Sequence, residues 1–334
     1  MSGFCSLFAV ILFSGISGAQ PCEPEIVGSI SGTASGVAVE SGIAYVAKGV
    51  GGVGVGSLLT VDVSDPGSPI TIGSVDLPGW ALDVVVVGSF AYVAALDAGL
   101  QVINVSDPTN PTVHGSVALP DSALDVVVIG SIAYVADSTA GLQVIDVSDP
   151  ADPTVLGSVA TPRSARGVAV SGGYAYVTDG AGGWPDGGLQ VIDVSDPTNP
   201  TIVGSIATPD SALVVVVSGD VAYVGGSNTG LLLIDVSDPT DPTILVSVET
   251  PSGGVGSLAV SGDVAYAGSV GMQLVDVSSC LAVPGDVNGD GVVNVTDLLQ
   301  LLSEWGSCPG CAADLNGDGE VDVTDLVTLL EGWG

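Results

Sequence analysis

Residues 115–156 read GSVALPDSALDVVVIGSIAYVADSTAGLQVIDVSDPADPTVL. Four short apolar segments lie in this unit, with turn residues between them. The segment 123–130 is almost continuously apolar, the pattern of a strand covered on both faces. Residues 133–136 (AYVA) make a second short strand, and 141–148 (GLQVIDVS) alternate with period two. Residues 153–159 (PTVLGSV) supply a fourth. Between the third and fourth stands Ser148-Asp149-Pro150, where Asp accepts hydrogen bonds from nearby backbone and Pro presets φ for a turn.

The unit repeats. Copies start at Gly28, Gly73, Gly115, Gly157, Gly204 and Val246, 42–47 residues apart, the length of a four-stranded propeller blade. Tyr45, Tyr92, Tyr134, Tyr176, Tyr223 and Tyr266 hold one slot, one per unit, which marks packing residues rather than ligand contacts. The last unit stops after its third strand, near residue 278. Its fourth stands at the other end of the chain, where residues 24–30 (PEIVGSI) match 200–206 (PTIVGSI). The expectation is a mainly β fold, a six-bladed β-propeller over residues 22–280 closed by the N-terminal strand. Aligned on the repeat, Cys280 and Cys22 fall on consecutive turn positions, so a Cys22–Cys280 disulfide would replace the missing peptide link. A bridge over so long a ring would contribute roughly 4–5 kcal/mol; two free thiols are the plainer alternative.

The phrases LQVIDVSDP and AYVA resemble the LVIVD-type repeats of bacterial secreted and surface propellers, over about residues 24 to 279. That resemblance implies the propeller and leaves its activity open.

Beyond Cys280 the text changes. Asp286, Asn288, Asp290, Asn294 and Asp297 carry oxygen side chains at positions 1, 3, 5, 9 and 12 of a twelve-residue loop, and Asp314, Asn316, Asp318, Asp322 and Asp325 repeat the pattern 28 residues on. The carbonyls of Val292 and Glu320 fall at position 7, and Gly291 and Gly319 allow the bend at position 6. Hard oxygen donors at this spacing suit Ca²⁺, one ion per loop, two in all. Position 12 is Asp in both, shorter than the Glu of EF-hand loops. An apolar helical run follows each loop (298–302 and 326–330).

This duplicated loop-plus-helix pattern is similar to type I dockerins, over residues 281–334. The resemblance implies two calcium ions and docking onto a cohesin-type domain of a scaffold protein, in many bacteria within polysaccharide-degrading systems. The family's partner-reading positions fall on Val295, Thr296, Val323 and Thr324. The same Val-Thr pair in both repeats implies two equivalent docking orientations. Between the repeats, Cys308 and Cys311 in Cys-Pro-Gly-Cys fit a local disulfide; a redox centre lacks its usual fold context and zinc lacks further ligands.

Composition narrows the partners. With 37 acidic residues against 3 basic, for a net charge of −34, nucleic acid and anionic membranes are excluded as partners. Only 4% of residues are aromatic and 49 are glycine, which favours strands and tight turns packed through Val, Ile, Leu and Ala. Residues 1–19 read as a signal peptide, an apolar run from Phe4 to Phe13 followed by Ser17-Gly18-Ala19, though without Lys or Arg. The expected location is extracellular, released or at the cell surface.

No catalytic set is legible: the one histidine, His114, sits in a fourth strand. Lys48, Trp80, Arg163, Arg166 and Trp184 all fall in the loops of one propeller face, where a carbohydrate would be the ligand; scattered loop decoration is the plainer reading. Asp83 and Asp125 occupy equivalent first-strand positions of neighbouring units; as a glycoside hydrolase pair they would need one raised pKa and a suitable separation, and residues that simply recur with the repeat are the plainer reading. The leading expectation is a non-catalytic binding or scaffold component; the rival is a propeller-fold polysaccharide-active enzyme.

Overall fold

A computed structural model describes residue 29 and residues 34–50, 55–180, 187–250, 253–262, 264–269, 271–276, 287, 295–307, 311–315 and 320–331. The repeats fold into the six blades of a β-propeller. Blade one is β1 (Gly36–Glu40), β2 (Ile43–Val50), β3 (Val55–Asp62) and β4 (Ile70–Leu77). Blade two is β5 (Asp83–Val87), β6 (Phe90–Ala94), β7 (Leu100–Asn104) and β8 (Thr112–Val117). Blade three is β9 (Asp125–Ile129), β10 (Ile132–Ala136), β11 (Leu142–Asp146) and β12 (Thr154–Val159). Blade four is β13 (Ala165–Ser171), β14 (Tyr174–Asp179), β15 (Gly188–Asp193) and β16 (Thr201–Ala207). Blade five is β17 (Ala212–Ser218), β18 (Val221–Gly226), β19 (Leu231–Asp235) and β20 (Thr243–Val248). The described strands of blade six are β21 (Ser257–Ser261), β22 (Val264–Ser269) and β23 (Gly271–Asp276). Every sheet is an antiparallel meander, and the first strands of successive blades one to five neighbour one another about the axis.

The apolar core lies between blades. Tyr45, Ala47 and Leu58 of blade one pack with Ala81, Val84, Ala91, Val93 and Ile103 of blade two, and the same arrangement recurs at the next three joints. Five of the six repeat tyrosines, from Tyr45 to Tyr223, are buried there, as packing residues should be. Their slot sits mid-strand, so each ring spans the joint while small Ala neighbours let the sheets close.

A second contact repeats at the outside. In blades one to five the third and fourth strands lose register at one place, for example between Val144 and Ile145 opposite Val155 and Gly157, a β-bulge that adds a residue to the outer strand. Beside the bulge lies the Gly of the GSV phrase. The carbonyl of the next blade's Asp-Pro turn presses on it: a Cβ on Gly73, Gly115, Gly157 or Gly204 would lie within 3.0 Å of the carbonyl of Pro108, Pro150, Pro197 or Pro239 respectively. Blade five carries Val246 in this slot, and the unit after it has Cys280 in place of the turn Pro. Gly returns at Gly28, in the segment whose neighbour would be Pro66 of blade one. The closing strand 24–30, the signal segment 1–19, Cys22 and Cys280 lie outside the described residues.

The turns themselves are held by carboxylates. Asp146 Oδ1 accepts the Ser148 N–H at 2.8 Å and Asp149 Oδ1 accepts the Ala151 N–H at 3.0 Å, with counterparts in blades one, two, four and five, except that in blade two the first acceptor is the amide oxygen of Asn104. The serine hydroxyl and then the N–H at each site lower the carboxyl pKa of Asp62, Asp146 and Asp193 below the ordinary value.

Contacts divide the chain into two compact units, Met1–Val260 with Tyr266–Leu274, and Ser261–Ala265 with Val275–Gly334. In the second unit, α1 (Val295–Ser303) and α2 (Val323–Glu331) pack over a core of Val287, Leu301, Ala313, Val321 and Leu329. A two-residue antiparallel pair, β24 (Gly306–Ser307) with β25 (Glu320–Val321), ties the end of the first repeat to the second loop. Among the described residues no helix is long and apolar enough to cross a membrane.

The glycine slots make a paired prediction. Gly157→Val is expected to cost about 1–3 kcal/mol by overpacking, whereas Val246→Gly should cost only about 1 kcal/mol, as a strand glycine does. Urea denaturation of both variants checks the difference, and equal losses would remove the Pro-carbonyl contact as the cause.

Candidate functional site

The second calcium loop is closed from both ends by one carboxylate. Asp325 is fully buried; its Oδ1 accepts the Leu315 N–H at 2.8 Å and its Oδ2 accepts the Asp322 N–H at 2.9 Å. Asp322 Oδ1 in turn accepts the Thr324 N–H at 2.7 Å and the Thr324 hydroxyl at 2.6 Å. Those two contacts keep Asp322 ionised, with its pKa below the ordinary value. Together Asp322, at the N-cap, and Asp325, in the first turn, form a capping box at the start of α2, and both charges suit the helix dipole. Positions 9 and 12 of the loop are thus prearranged by the helix that follows.

This arrangement fits a hard cation. Asp325 brings both carboxylate oxygens to the loop, and Asp314, Asp322 and the Glu320 carbonyl belong to the same closed loop. Asn316, Asp318 and most of the first loop (Asp286, Asn288, Asp290, Val292, Asn294) lie outside the described residues, as does the side chain of Asp297. When bound, Ca²⁺ would neutralise these carboxylates; Asp325, the loop's last residue, is tied to the Leu315 N–H beside its first. Cys311 is disulfide-bonded, and Cys308 lies outside the described residues.

Each helix has two apolar faces. Leu298 and Leu301 of α1, and Leu326 and Leu329 of α2, turn inward to the small core. Val295, Leu299 and Leu302 on α1, and Val323, Val327 and Leu330 on α2, are each about half exposed or more. The two outward triplets sit at matching positions, 28 residues apart, spaced i, i+4, i+7 along one helix face. Of the four residues expected to read a partner, Val295 and Val323 are exposed, and Thr324 is exposed with its hydroxyl on Asp322; the Thr296 side chain is not among those described. Leu299, Leu302, Val327 and Leu330 were missed. Their signal was a helix apolar on more faces than so small a core can cover.

On the propeller, the basic and aromatic loop residues fall in two groups. The Trp80 indole lies over the backbone of Gly49, next to Lys48, at the joint of blades one and two. Arg163 and Arg166 belong to blade four, where Arg166 Nε donates to the Gly180 carbonyl at 2.8 Å. Acidic residues of blade three stand between the groups on the same rim, and Trp184 lies outside the described residues. His114 is exposed on β8, 5.2 Å from the Phe90 ring.

Asp83 and Asp125 meet inside the propeller. Val126 N–H donates to Asp83 Oδ2 at 3.2 Å and Val168 N–H to Asp125 Oδ2 at 2.7 Å, so the pair links the first strands of blades two, three and four. Burial, then the charge of Asp83, hold the Asp125 carboxyl well above the usual range, which favours a proton shared between the two carboxyls. Carboxyls in hydrogen-bond contact are closer than the roughly 5 Å between the paired acids of a retaining glycosidase. They read as a shared-proton clip. At the rim, Asp137 is also fully buried, and burial pushes it up to about 6. Among the described residues no three Asp, Glu, His or Cys side chains converge as a metal-binding group.

The clip implies a pH dependence. A carboxyl whose folded pKa exceeds its unfolded value near 4 binds more protons folded than unfolded, so it stabilises at low pH and that stability fades as pH rises through the folded pKa. Asp125→Asn, which preserves a donor to Asp83, is expected to flatten the fall in melting temperature as pH rises above the unfolded carboxyl value near 4. An unchanged slope would mean that Asp125 holds no proton.

The comparisons with known proteins match this geometry. The LVIVD repeat is found at residues 31–77, 78–118, 120–161, 162–208 and 210–250. A Dockerin type I domain is found at residues 284–331. No protein of curated function matches the chain in sequence. Among solved structures it is similar to Kuenenia stuttgartiensis hydrazine synthase (15% identity, TM-score 0.60, covering 79% of this chain and 81% of that one). It is also similar to Sqt1 of Chaetomium thermophilum (17% identity, TM-score 0.57, 75% and 71% covered) and to the computationally designed Ika8 protein (11% identity, TM-score 0.50, 73% and 83% covered). At such identities the likeness is one of fold alone. Repeat matches that run through five successive blades, followed by the duplicated acidic loops, make this chain a member of the LVIVD-repeat family that carries a type I dockerin domain.

Proposed function

We propose that this protein is a secreted, non-catalytic binding component, attached to a larger assembly by its dockerin domain. A type I dockerin supports docking onto cohesin in a complex, and the observation that carries the reading is the repeated outward triplet on α1 and α2. In water each stripe leaves three aliphatic side chains uncovered, and burying them against a partner would contribute on the order of 25 cal/mol per Å² of apolar area. The identical spacing supports two alternative docking orientations. Two calcium ions, one in each loop, would hold the helices in register; a Cys308–Cys311 bridge would brace the connection between them. The propeller presents its loop rim, with Trp80 and Lys48 as the place for a carbohydrate, and a polysaccharide-degrading or cell-surface complex is the setting. Contact between Asp83 and Asp125 speaks against the glycosidase alternative.

Docking is expected to require calcium: EGTA should abolish capture of the chain by an immobilised cohesin domain. Val295→Asp or Val323→Asp alone should weaken capture by less than about tenfold, and the two together by more than about a hundredfold. Capture that survives both EGTA and the double variant would reject the reading; a single variant with the full loss would reject the two orientations.

A further inference from the structure

The propeller rim repeats two facing slots in each blade. One slot ends the second strand (Ala95, Asp137, Asp179 and Gly226 in blades two to five), and the other lies in the loop entering the first strand (Gly79, Asp121, Arg163 and Asp210). The slots touch within each blade. A Cβ on Gly79 would meet the Ala95 carbonyl, and one on Gly226 would meet Asp210 Oδ1. Asp121 N–H reaches Asp137 Oδ2 at 3.4 Å, and Arg163 N–H reaches both Asp179 oxygens at 2.9 and 3.1 Å.

Three of these blades balance the charge. Blade two has none. Blade five has one carboxylate, Asp210, which accepts from Ser227, Asn228 and Thr229 while Gly226 leaves room for it. Blade four sets Asp179 against the Arg163 backbone, the Arg163 charge and the Thr161 hydroxyl. Blade three places acids in both slots, and Leu119 replaces the threonine. Asp137 there is fully buried and its Oδ1 has no hydrogen-bond partner; beside the Asp121 N–H, the donor near its carboxyl is the Gln143 amide, which also reaches the Ala140 carbonyl at 3.5 Å. Asp121 Oδ2 is committed to the N–H and hydroxyl of Thr139, with the Ser138 and Ser122 hydroxyls alongside the carboxylate. An unpaired buried carboxylate oxygen facing a second carboxylate is costly unless a cation joins them.

We propose that blade three binds a hard divalent cation, Ca²⁺, between the carboxylates of Asp137 and Asp121, with the hydroxyls of Ser122 and Ser138 and water completing its oxygen shell. The ion does for blade three what Arg163 does for blade four. With two carboxylates its affinity falls in the weak extracellular range, about 10⁻⁴–10⁻³ M. The site is separate from the loops at 286–297 and 314–325 and does not depend on the docking role.

Equilibrium dialysis of the full chain against about 5 mM CaCl₂ at pH 7.5 tests it, with Asp137→Asn and Asp121→Arg as variants. Each variant is expected to hold one ion fewer than the wild type. Calcium should raise the propeller melting transition of the wild type by about 2–4 °C, while Asp121→Arg, with its cation built in, should melt high without calcium. Equal ion counts in the wild type and Asp137→Asn would overturn the proposal, whether or not Asp121→Arg folds. It would be overturned equally by a wild-type transition that ignores calcium and rises as pH is lowered through about 6, because a proton would then be the occupant.

Discussion

The close approach of one blade's Asp-Pro turn to a side-chain-free residue on its neighbour's outer strand sets the spacing on which the propeller is built. With a carbonyl seated against Gly115 or Gly157, adjacent sheets stand near enough for a layer of Tyr, Val, Leu and Ala to fill the gap without large aromatic residues. The bulge beside each glycine turns the outer strand toward the incoming turn. Turn carboxylates, held ionised by serine hydroxyls and backbone N–H groups, keep that turn in shape. Val246 stands in this slot where the next unit's sequence carries Cys280 in place of the turn proline, the pattern expected where glycine serves the contact rather than the strand.

That spacing also shapes the interior and the rim. First strands brought side by side put Asp83 and Asp125 in contact, which turns two acids that could have been catalytic into a clip across three blades. At the rim the same closeness makes each pair of facing slots a small charge problem, answered by Gly with Ala, by Asp with Gly, or by Arg with Asp. The strongly acidic composition, −34 overall, therefore divides into different physical classes. There are exposed turn acids with lowered pKa, buried acids with raised pKa, and loop acids spaced as calcium ligands.

In the dockerin unit the local and the tertiary are unusually close. The capping box of Asp322 and Asp325 is a helix-start device and a calcium-loop device in one, so a helical propensity of a few residues prearranges a ligand set. The small core takes up only one face of each helix, and the opposite apolar face is left exposed.

Much of this was legible in the chain itself. Blade number, strand order, the buried tyrosines and both acidic loops follow from residue periodicity, because a repeat forces every copy into the same environment and a metal loop is contiguous in sequence. What the folded chain alone decided are relations between segments far apart in sequence. The contact between Asp83 and Asp125, the separation of Lys48 and Trp80 from Arg163 and Arg166, and the facing of Asp121 with Asp137 depend on which loops stand opposite one another. The outward Leu299 and Leu302 were undecided for a related reason: an apolar residue on a helix is core or surface only once the available core has been filled.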